Sequence, residues 1–503
     1  MKSDLNLNTK QKTKRSIPYI IATRIFQLLV PLVGMVLLVR YLEPVEYGVL
    51  ALFMAIPGML YTVFALGYGQ YLSRYLPGME TDKEAGARFW DILIRRIISV
   101  LAISLILMIF FPYYAGKFQL ENYYPHFMVF IIIIVTQYCE VFFKIYFNTR
   151  FNQNYLLYLN MYFQIVRSTI IIYGISYSME FIFFIWGFAV LNTSKFVISA
   201  ILVFKDAGLP KLGKRMVKLK ETDEERKYRR ISYINDFGIS FLRSDIDRFI
   251  LSYFSTNIQV AIYALATEIL KKVGSFIPHI MFKTVITPAF FRNYDEKKTD
   301  KSLNDMFTFI INIDLMVGII YLGLFIPLGH ELLLLFFQQA YAGEAYLPML
   351  IFLSFMIINA IQPGMVVQAI KKPIILLISK ISAIVNIAIA IPLAIYYGAT
   401  GVAFATAFSA LLKNYLTFFL VKRYVDIKLP WASILKSILN IALLFTGVKI
   451  LIWIGINIYL VIVLSLLLFL VINKMIPTLN SYDKRFIKSM LPKKMRKFSK
   501  ILI

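Results

Sequence analysis

Apolar residues along this chain gather in long, nearly unbroken runs, not in the short alternating patches of a soluble strand. A helix needs about 20 mostly apolar residues to cross a bilayer. Fourteen stretches reach that length: 17–39, 47–69, 90–111, 124–147, 155–177, 180–204, 231–253, 257–281, 304–327, 347–370, 373–397, 399–421, 432–454 and 456–474. The first is too long for a signal-peptide core, and no small-residue cleavage site follows it, so it reads as a retained helix. The pattern predicts an all-α integral membrane protein. Its expected parts are a six-helix bundle over 17–204, a linker over 205–230, a second six-helix bundle over 231–421 and two further helices over 432–474. Basic tails over 1–16 and 475–503 flank them.

Composition narrows the class. Of 503 residues, 59% are hydrophobic and 16% charged, and mean hydropathy is +0.70. Soluble domains carry about 25% charged residues, so a soluble enzyme, a disordered chain and a coiled coil are excluded. The net charge of +26 has an uneven distribution. With a cytoplasmic N-terminus, the inner segments carry 39 Lys and Arg, and the outer turns carry only Arg40 and Lys117. Positive residues stay on the cytoplasmic side of an energised bilayer. The expectation is therefore a multi-pass protein of the cell membrane with both termini inside. Its basic segments face anionic headgroups, and no nucleic-acid partner is needed. The outer turns are short, which leaves no room for an external catalytic domain. The single cysteine, Cys139, permits neither an internal disulfide nor a Cys-based metal site. There is no phosphate-binding Gly-x-x-x-x-Gly-Lys-Ser/Thr loop, no His-Glu-x-x-His, and only three histidines. Neither enzymatic activity nor a cofactor or metal is expected, and any pumping must draw on a gradient.

Charges inside the spans are the most informative feature. An ionisable group at mid-bilayer costs about 2.5–3.5 kcal/mol on insertion scales, so such groups face a hydrated cavity or a partner. Arg24 lies in the first span. In the fifth, Gln153, Asn160, Gln164 and Arg167 fall within about 60° of one another on a helical wheel. Asn192, Lys195 and Ser199 share a face of the sixth. In the seventh, Asp236, Ser240, Arg243 and Asp247 make one stripe, and Asp245 and Arg248 make another. In the eighth, Glu268, Lys272, Ser275, His279 and Lys283 line up. Arg95, Arg96, Lys436, Lys449 and Lys144 sit near span edges, where long side chains snorkel. Glu140 and Lys144, four residues apart, are expected to pair. His279 reads as a polar interface residue, while Asp314 suits either an interhelical hydrogen bond or a proton site. Lys380 and Lys413 lie mid-span, where a cavity would accommodate them. Cationic stripes between apolar walls suit an anionic headgroup, because Arg offers a planar fork for phosphate oxygens and Lys a point charge. The candidate headgroup-binding set is Arg24, Arg167, Lys195, Arg243, Arg248 and Lys272. Asp236, Asp247, Glu268 and Asp314 would balance charge or couple an ion.

A faint repeat joins the two halves. Tyr41-Leu42-Glu43-Pro44 leads into Tyr47-Gly48-Val49-Leu50-Ala51-Leu52, and Tyr253-Phe254 leads into Ile262-Tyr263-Ala264-Leu265-Ala266. Such a repeat would be parallel, about an axis along the membrane normal.

Four segments carry a family resemblance. Val39-Arg40-Tyr41-Leu42-Glu43-Pro44-Val45-Glu46-Tyr47-Gly48 and Leu66-Gly67-Tyr68-Gly69-Gln70-Tyr71-Leu72-Ser73-Arg74-Tyr75 are the first two. Asp247-Arg248-Phe249-Ile250-Leu251 with Ala261-Ile262-Tyr263-Ala264-Leu265-Ala266, and Tyr397-Gly398-Ala399-Thr400-Gly401-Val402-Ala403, complete the set. Together they resemble polysaccharide flippases, the O-antigen and teichuronic acid type translocases of the multidrug/oligosaccharidyl-lipid/polysaccharide exporter superfamily. Ala261 stands where that family usually has Gly. The resemblance implies two six-helix bundles in a V, spans one, two, seven and eight lining a cavity, and alternating access for a polyprenyl-diphosphate-linked oligosaccharide. It also implies that Arg24 sits where the lipid II flippase has a cavity arginine, and that the last two spans stand apart and offer a groove for a lipid tail. The expected partners are the bilayer, the lipid-linked glycan, and the glycosyltransferases and polymerase that make and extend it. The competing reading is an ion-coupled multidrug exporter of the same superfamily. The absence of a carboxylate in span one argues against it. A membrane-embedded glycan polymerase would need a large external loop, and a passive scaffold would not need buried charge.

Overall fold

A computed structural model describes residues 29–79, 81–150, 152–208, 221–240, 244–274, 277, 299–337, 339–358, 361, 363–370, 372 and 374–490. Arg24, Arg243, Ser275, His279, Lys283, the whole basic tail over 1–16 and residues 491–503 lie outside the described residues. Every regular element among those described is helical. Eight helical segments there are long and apolar enough to cross a bilayer, from Pro44–Phe64 to Ile458–Met475, and each overlaps an expected span. One of them, Ile374–Val421, takes in both 373–397 and 399–421. Large apolar side chains open outward from these helices, Trp453 at 86% exposure and Ile98 at 62%, as lipid contact requires. The protein is a multi-pass membrane protein.

The described residues form two compact units. The first comprises Leu29–Ala264 and Ile387–Val402, and the second comprises Leu265–Asn386 and the residues from Ala403 onward. The boundaries fall inside helices, between Ala264 and Leu265, Asn386 and Ile387, and Val402 and Ala403. The seventh span clusters with the first six because its two helical pieces pack on the second span, as set out below.

In the first unit the helices are α1 (Leu29–Tyr41), α2 (Pro44–Phe53), α3 (Ile56–Phe64), α4 (Tyr68–Tyr75), α5 (Asp82–Ile109), α6 (Phe111–Ala115) and α7 (Tyr124–Thr149). They continue with α8 (Gln153–Ser176), α9 (Phe181–Ala207), α10 (Asp223–Ser240), α11 (Ser244–Phe254) and the start of α12 (Asn257–Gly274). The span expected over 47–69 is not one helix. Pro44 opens α2 behind a reciprocal Glu43–Glu46 capping box. Pro57 sits in the first turn of α3, where its missing N–H breaks the ladder and leaves a turn at Met54–Ala55. Gly67 then links α3 to α4 at φ 77°, and a Cβ there would fall 2.2 Å from the Arg229 carbonyl oxygen. Only glycine meets both demands. The core is aromatic: Phe53 of α2 meets Phe127 and Phe130 of α7 at 5.4 and 5.2 Å between ring centroids.

In the second unit, α13 (Asp300–Phe336) is the central helix, followed by α14 (Gln339–Ile358), α15 (Gly364–Ala369), α16 (Ile374–Ser379) and α17 (Ile381–Val421). Helix α17 bends at Gly398, within the part that belongs to the first unit. The last two spans are α18 (Trp431–Trp453) and α19 (Ile458–Met475), and they share a buried core with α13 through Ile319, Leu444, Val448, Val461 and Phe469. The basic tail contributes one more helix, α20 (Ser481–Met490). Asn480 accepts from the Asp483 N–H and Asp483 accepts from the Asn480 N–H, each at 2.9 Å, forming a second reciprocal cap. Asp483 also accepts from the Asn312 side chain of α13 at 2.8 Å, and Phe486 meets Phe309 at 4.7 Å.

Burial pushes the Asp483 carboxyl above its ordinary range, against the opposing pull of Asn312 and the Asn480 N–H. A raised folded-state value means that this group favours docking of α20 most at acidic pH, below the unfolded Asp value of about 3.9. The contribution fades as pH rises through the higher folded value. Asp483→Asn, neutral throughout, is therefore expected to flatten the pH dependence of α20 protection. Amide exchange of residues 481–490 at acidic and neutral pH checks this, and an unchanged profile would refute it.

Candidate functional site

One end of the first unit concentrates arginine, tyrosine and glutamate. Tyr68 opens α4 with one guanidinium on its ring from Arg229 of α10, at 4.5 Å, and another from Arg96 of α5, at 5.3 Å. Arg229 is also held by Glu221, with Nε to Oε1 at 3.1 Å, and reaches the Leu66 carbonyl at 3.4 Å. Arg96 donates to the Phe64 carbonyl at 3.3 Å. It is therefore a packing residue of this end and does not snorkel from a span edge, whereas Arg95 pairs with Asp91 at 2.8 Å and stays half-exposed. Buried Arg88 lies over Tyr71, donates from Nε to its hydroxyl at 2.8 Å, and pairs with Glu225 at 3.0 Å. A guanidinium between an aromatic face and a carboxylate has both its flat surface and its N–H edge satisfied. These groups hold α10 against α4 and α5.

Beside this wall is a cavity of about 290 Å³. Tyr61, Thr62, Ala65, Gly67, Gly69, Gln70, Ser73, Ile145 and Asp236 line it. Gln70 donates from Nε2 to Asp236 Oδ1 at 3.3 Å, which fixes the amide's orientation. Tyr61 is braced by Tyr138 and Phe142 at 5.9 and 5.5 Å. The sequence pattern singles out Asp236 but not Gln70 or Tyr61, whose lone polar groups show only as a weak break in the apolar run.

Asp236 and Asp247, expected on one stripe, have different surroundings because they stand on separate helices, α10 and α11. Asp247 is fully buried and accepts from the Tyr263 hydroxyl of α12. Arg248, 4% exposed, donates to the Ala51 carbonyl at the end of α2 at 3.1 Å. Nearby, Asn257 donates to the Phe118 and Gln119 carbonyls at 3.1 and 3.0 Å and accepts from Ser252 at 2.8 Å. Gly48 of α2 lies so close to this knot that a Cβ would come within 1.9 Å of the Asn257 carbonyl oxygen. Gly48 of the first repeat segment thus meets the stretch between the two parts of the second, at Asn257 and Ala261.

Lys195 is buried, and its ammonium pairs with Glu140 at 2.8 Å, beside Asn160 at 3.4 Å and over the Phe163 ring at 5.0 Å. The direct partner of the Glu140 carboxylate is therefore Lys195 on α9, with the helical neighbour Lys144 acting on it at longer range. Arg167 lies over Phe188 at 5.3 Å. In the second unit, Glu268 accepts from Lys271 at 2.8 Å, both partly exposed, with Lys272 one residue on. Asp314 is buried within α13 at 6% exposure. No group of three or more His, Cys, Asp or Glu among the described residues could hold a metal ion.

The family model described as polysaccharide biosynthesis protein matches residues 13–294. No curated protein matches the chain by sequence. The chain is similar in structure to the lipid II flippase MurJ in an inward closed conformation. Identity is 15% and the TM-score 0.72, over 94% of this chain and 99% of that one. It is also similar to an inward-facing multidrug resistance MATE family transporter of the MOP superfamily. There identity is 15% and the TM-score 0.57, over 79% of this chain and 94% of that one. At this identity the likeness is one of fold.

Proposed function

Since the chain belongs to the polysaccharide biosynthesis protein family, we propose that it is a flippase for a polyprenyl-diphosphate-linked oligosaccharide. It carries this substrate from the inner to the outer leaflet of the cytoplasmic membrane by alternating access, and so supplies a cell-surface polysaccharide. The family match over more than half of the chain is the observation that carries this reading. A fold shared with a lipid II flippase supports it. In this reading the chain has fourteen spans with both termini cytoplasmic, which places the positively charged segments on the inner side.

The division of labour follows from charge. The diphosphate needs cationic partners, for which Arg offers a planar fork and Lys a point charge. Lys195 is committed to Glu140, and Arg248 is drawn to the Ala51 carbonyl. We assign the diphosphate chiefly to Arg24 and Arg243, with Lys272 and Arg167 as secondary contacts. Asp236, Asp247, Glu268 and Asp314 balance charge or couple an ion. The sugars pass through hydrated space and the prenyl tail stays in lipid.

Reconstitution tests this. Proteoliposomes containing the full chain and a fluorescent polyprenyl-diphosphate-linked oligosaccharide are expected to expose the glycan to an externally added glycosidase faster than protein-free vesicles. Equal rates would reject the reading. The second reading, an ion-coupled exporter of cationic drugs, draws on the carboxylate of Asp236 in a cavity. It predicts proton-dependent efflux of a cationic dye from the same vesicles, with no glycan exposure.

A further inference from the structure

We propose that the Glu140–Lys195 pair within the first unit is a proton-binding site that couples transport to a proton gradient. Glu140 of α7 holds the Lys195 ammonium of α9 at 2.8 Å, with 22% of the glutamate side chain and 11% of the lysine side chain exposed. A buried ion pair is a poor stabiliser, because removing two charges from water costs about as much as their attraction returns. Ionisable groups inside membrane spans mark proton and ion pathways instead. This pair is distinct from the carboxylates assigned above to charge balance or ion coupling. The inference rests on the flippase reading only for the identity of the cargo.

One oxygen of the carboxylate is engaged and the other is open. Lys195 holds Oε1, whereas among the described residues nothing donates to the buried Oε2 in ordinary hydrogen-bond geometry. Ser199, one turn on from Lys195 and fully buried, acts on the same carboxylate, and its hydroxyl also makes no hydrogen bond of ordinary geometry there. A proton on Oε2 turns that acceptor into a donor, which gives the Ser199 oxygen a bond to accept. The open part of the Glu140 side chain gives the proton a way in.

The lysine has a second seat. Its ammonium lies 3.4 Å from Asn160 Oδ1 of α8 and 5.0 Å over the Phe163 ring. An amide oxygen and an aromatic face both hold a cation. When Glu140 becomes neutral, the ammonium keeps its three hydrogens and these two contacts. The step therefore moves one proton from water to Oε2, with no change of oxidation state. A salt bridge between α7 and α9 gives way to neutral contacts, and the hold of one helix on the other weakens. The charged or titratable groups that act on the carboxylate are Lys195 from α9 and Lys144 and Cys139 from α7 itself. From α5, Arg96 reaches α7 beside Tyr138 but donates to the Phe64 carbonyl and stacks on Tyr68. From α3, Tyr61 packs on Tyr138 and Phe142.

Infrared difference spectroscopy on the purified full chain in detergent reads proton binding directly. Acidification should produce a protonated-carboxyl band in the parent that Glu140→Gln lacks. Glu140→Gln leaves Lys195 without its counter-charge, so Glu140→Gln combined with Lys195→Met, which removes both charges, is measured beside it and is expected to stay folded. Proteoliposomes with a fluorescent polyprenyl-diphosphate-linked oligosaccharide read coupling. For one proton exchanged per cargo, a gradient of one pH unit, acidic outside, shifts the outer-to-inner ratio of the glycan about tenfold. A brief glycosidase pulse measures that ratio. The double variant should still expose glycan, with a ratio indifferent to the gradient. The proposal is overturned if the parent lacks the Glu140-dependent band, or if a glycan-exposing parent ignores the gradient. It is also overturned if the double variant responds to the gradient as the parent does, the result that a purely structural pair would give. A band without any glycan exposure in vesicles refutes the flippase reading alone, and glycan exposure without the band refutes the proton site alone.

Discussion

Gly48→Ala is expected to destabilise the first unit by about 3 kcal/mol, the upper end of what overpacking costs. The added methyl would lie 1.9 Å from the Asn257 carbonyl oxygen and 2.8 Å from its carbon. A backbone carbonyl cannot rotate away as a side chain would. Asn257 is also anchored by its side chain to Phe118, Gln119 and Ser252, so relief requires α2 and α12 to separate. That would in turn loosen Arg248 from Ala51. For a unit of this size the melting temperature should fall by about 6–12 °C, with aggregation on size exclusion in detergent. A Gly48→Ala protein that melts with the parent would mean that α2 and α12 do not pack as described.

The second large effect concerns transport. Arg24→Ala and Arg243→Ala should each lower glycan export tenfold or more while the protein still reaches the membrane in normal amount. A hydrogen bond to a charged group contributes about 1.5–3 kcal/mol, and more than a factor of ten follows from its loss. Arg→Lys at either position should restore part of the rate, because the charge is kept while the planar fork is lost. Surface glycan measured against membrane protein content reads the outcome. Normal export in both alanine variants would sink the cationic-site hypothesis.

The sequence makes the spans legible because lipid imposes a length and a composition that soluble packing does not. Eight apolar helical segments among the described residues accordingly fall on expected runs, and the segments that resemble a family signature lead to the family whose model matches. Where two signals compete within a run, reading fails. The run over 47–69 is apolar throughout, yet Pro57 and the left-handed Gly67 cut it into α2, α3 and α4. Partners distant in sequence are invisible to helical spacing. Glu140 and Lys144 have the spacing of a pair, but burial brings Lys195 within 2.8 Å of the carboxylate. The stacking of Arg229 on Tyr68 and the bond from Arg88 to Glu225 depend on how α10 lies against α4 and α5, and no periodicity encodes that. Asp236 stands out as an ionisable residue in a span, whereas the cavity it helps to line arises only from tertiary packing.

The isolation of Cys139 gives the protein a practical asset. It is the chain's single cysteine and it is buried at 0% exposure. The natural sequence is therefore close to a thiol-silent background, so a cysteine introduced at a position of interest should dominate the response to a membrane-impermeant maleimide. Sidedness, and its change over a transport cycle, can then be tracked one engineered reporter at a time.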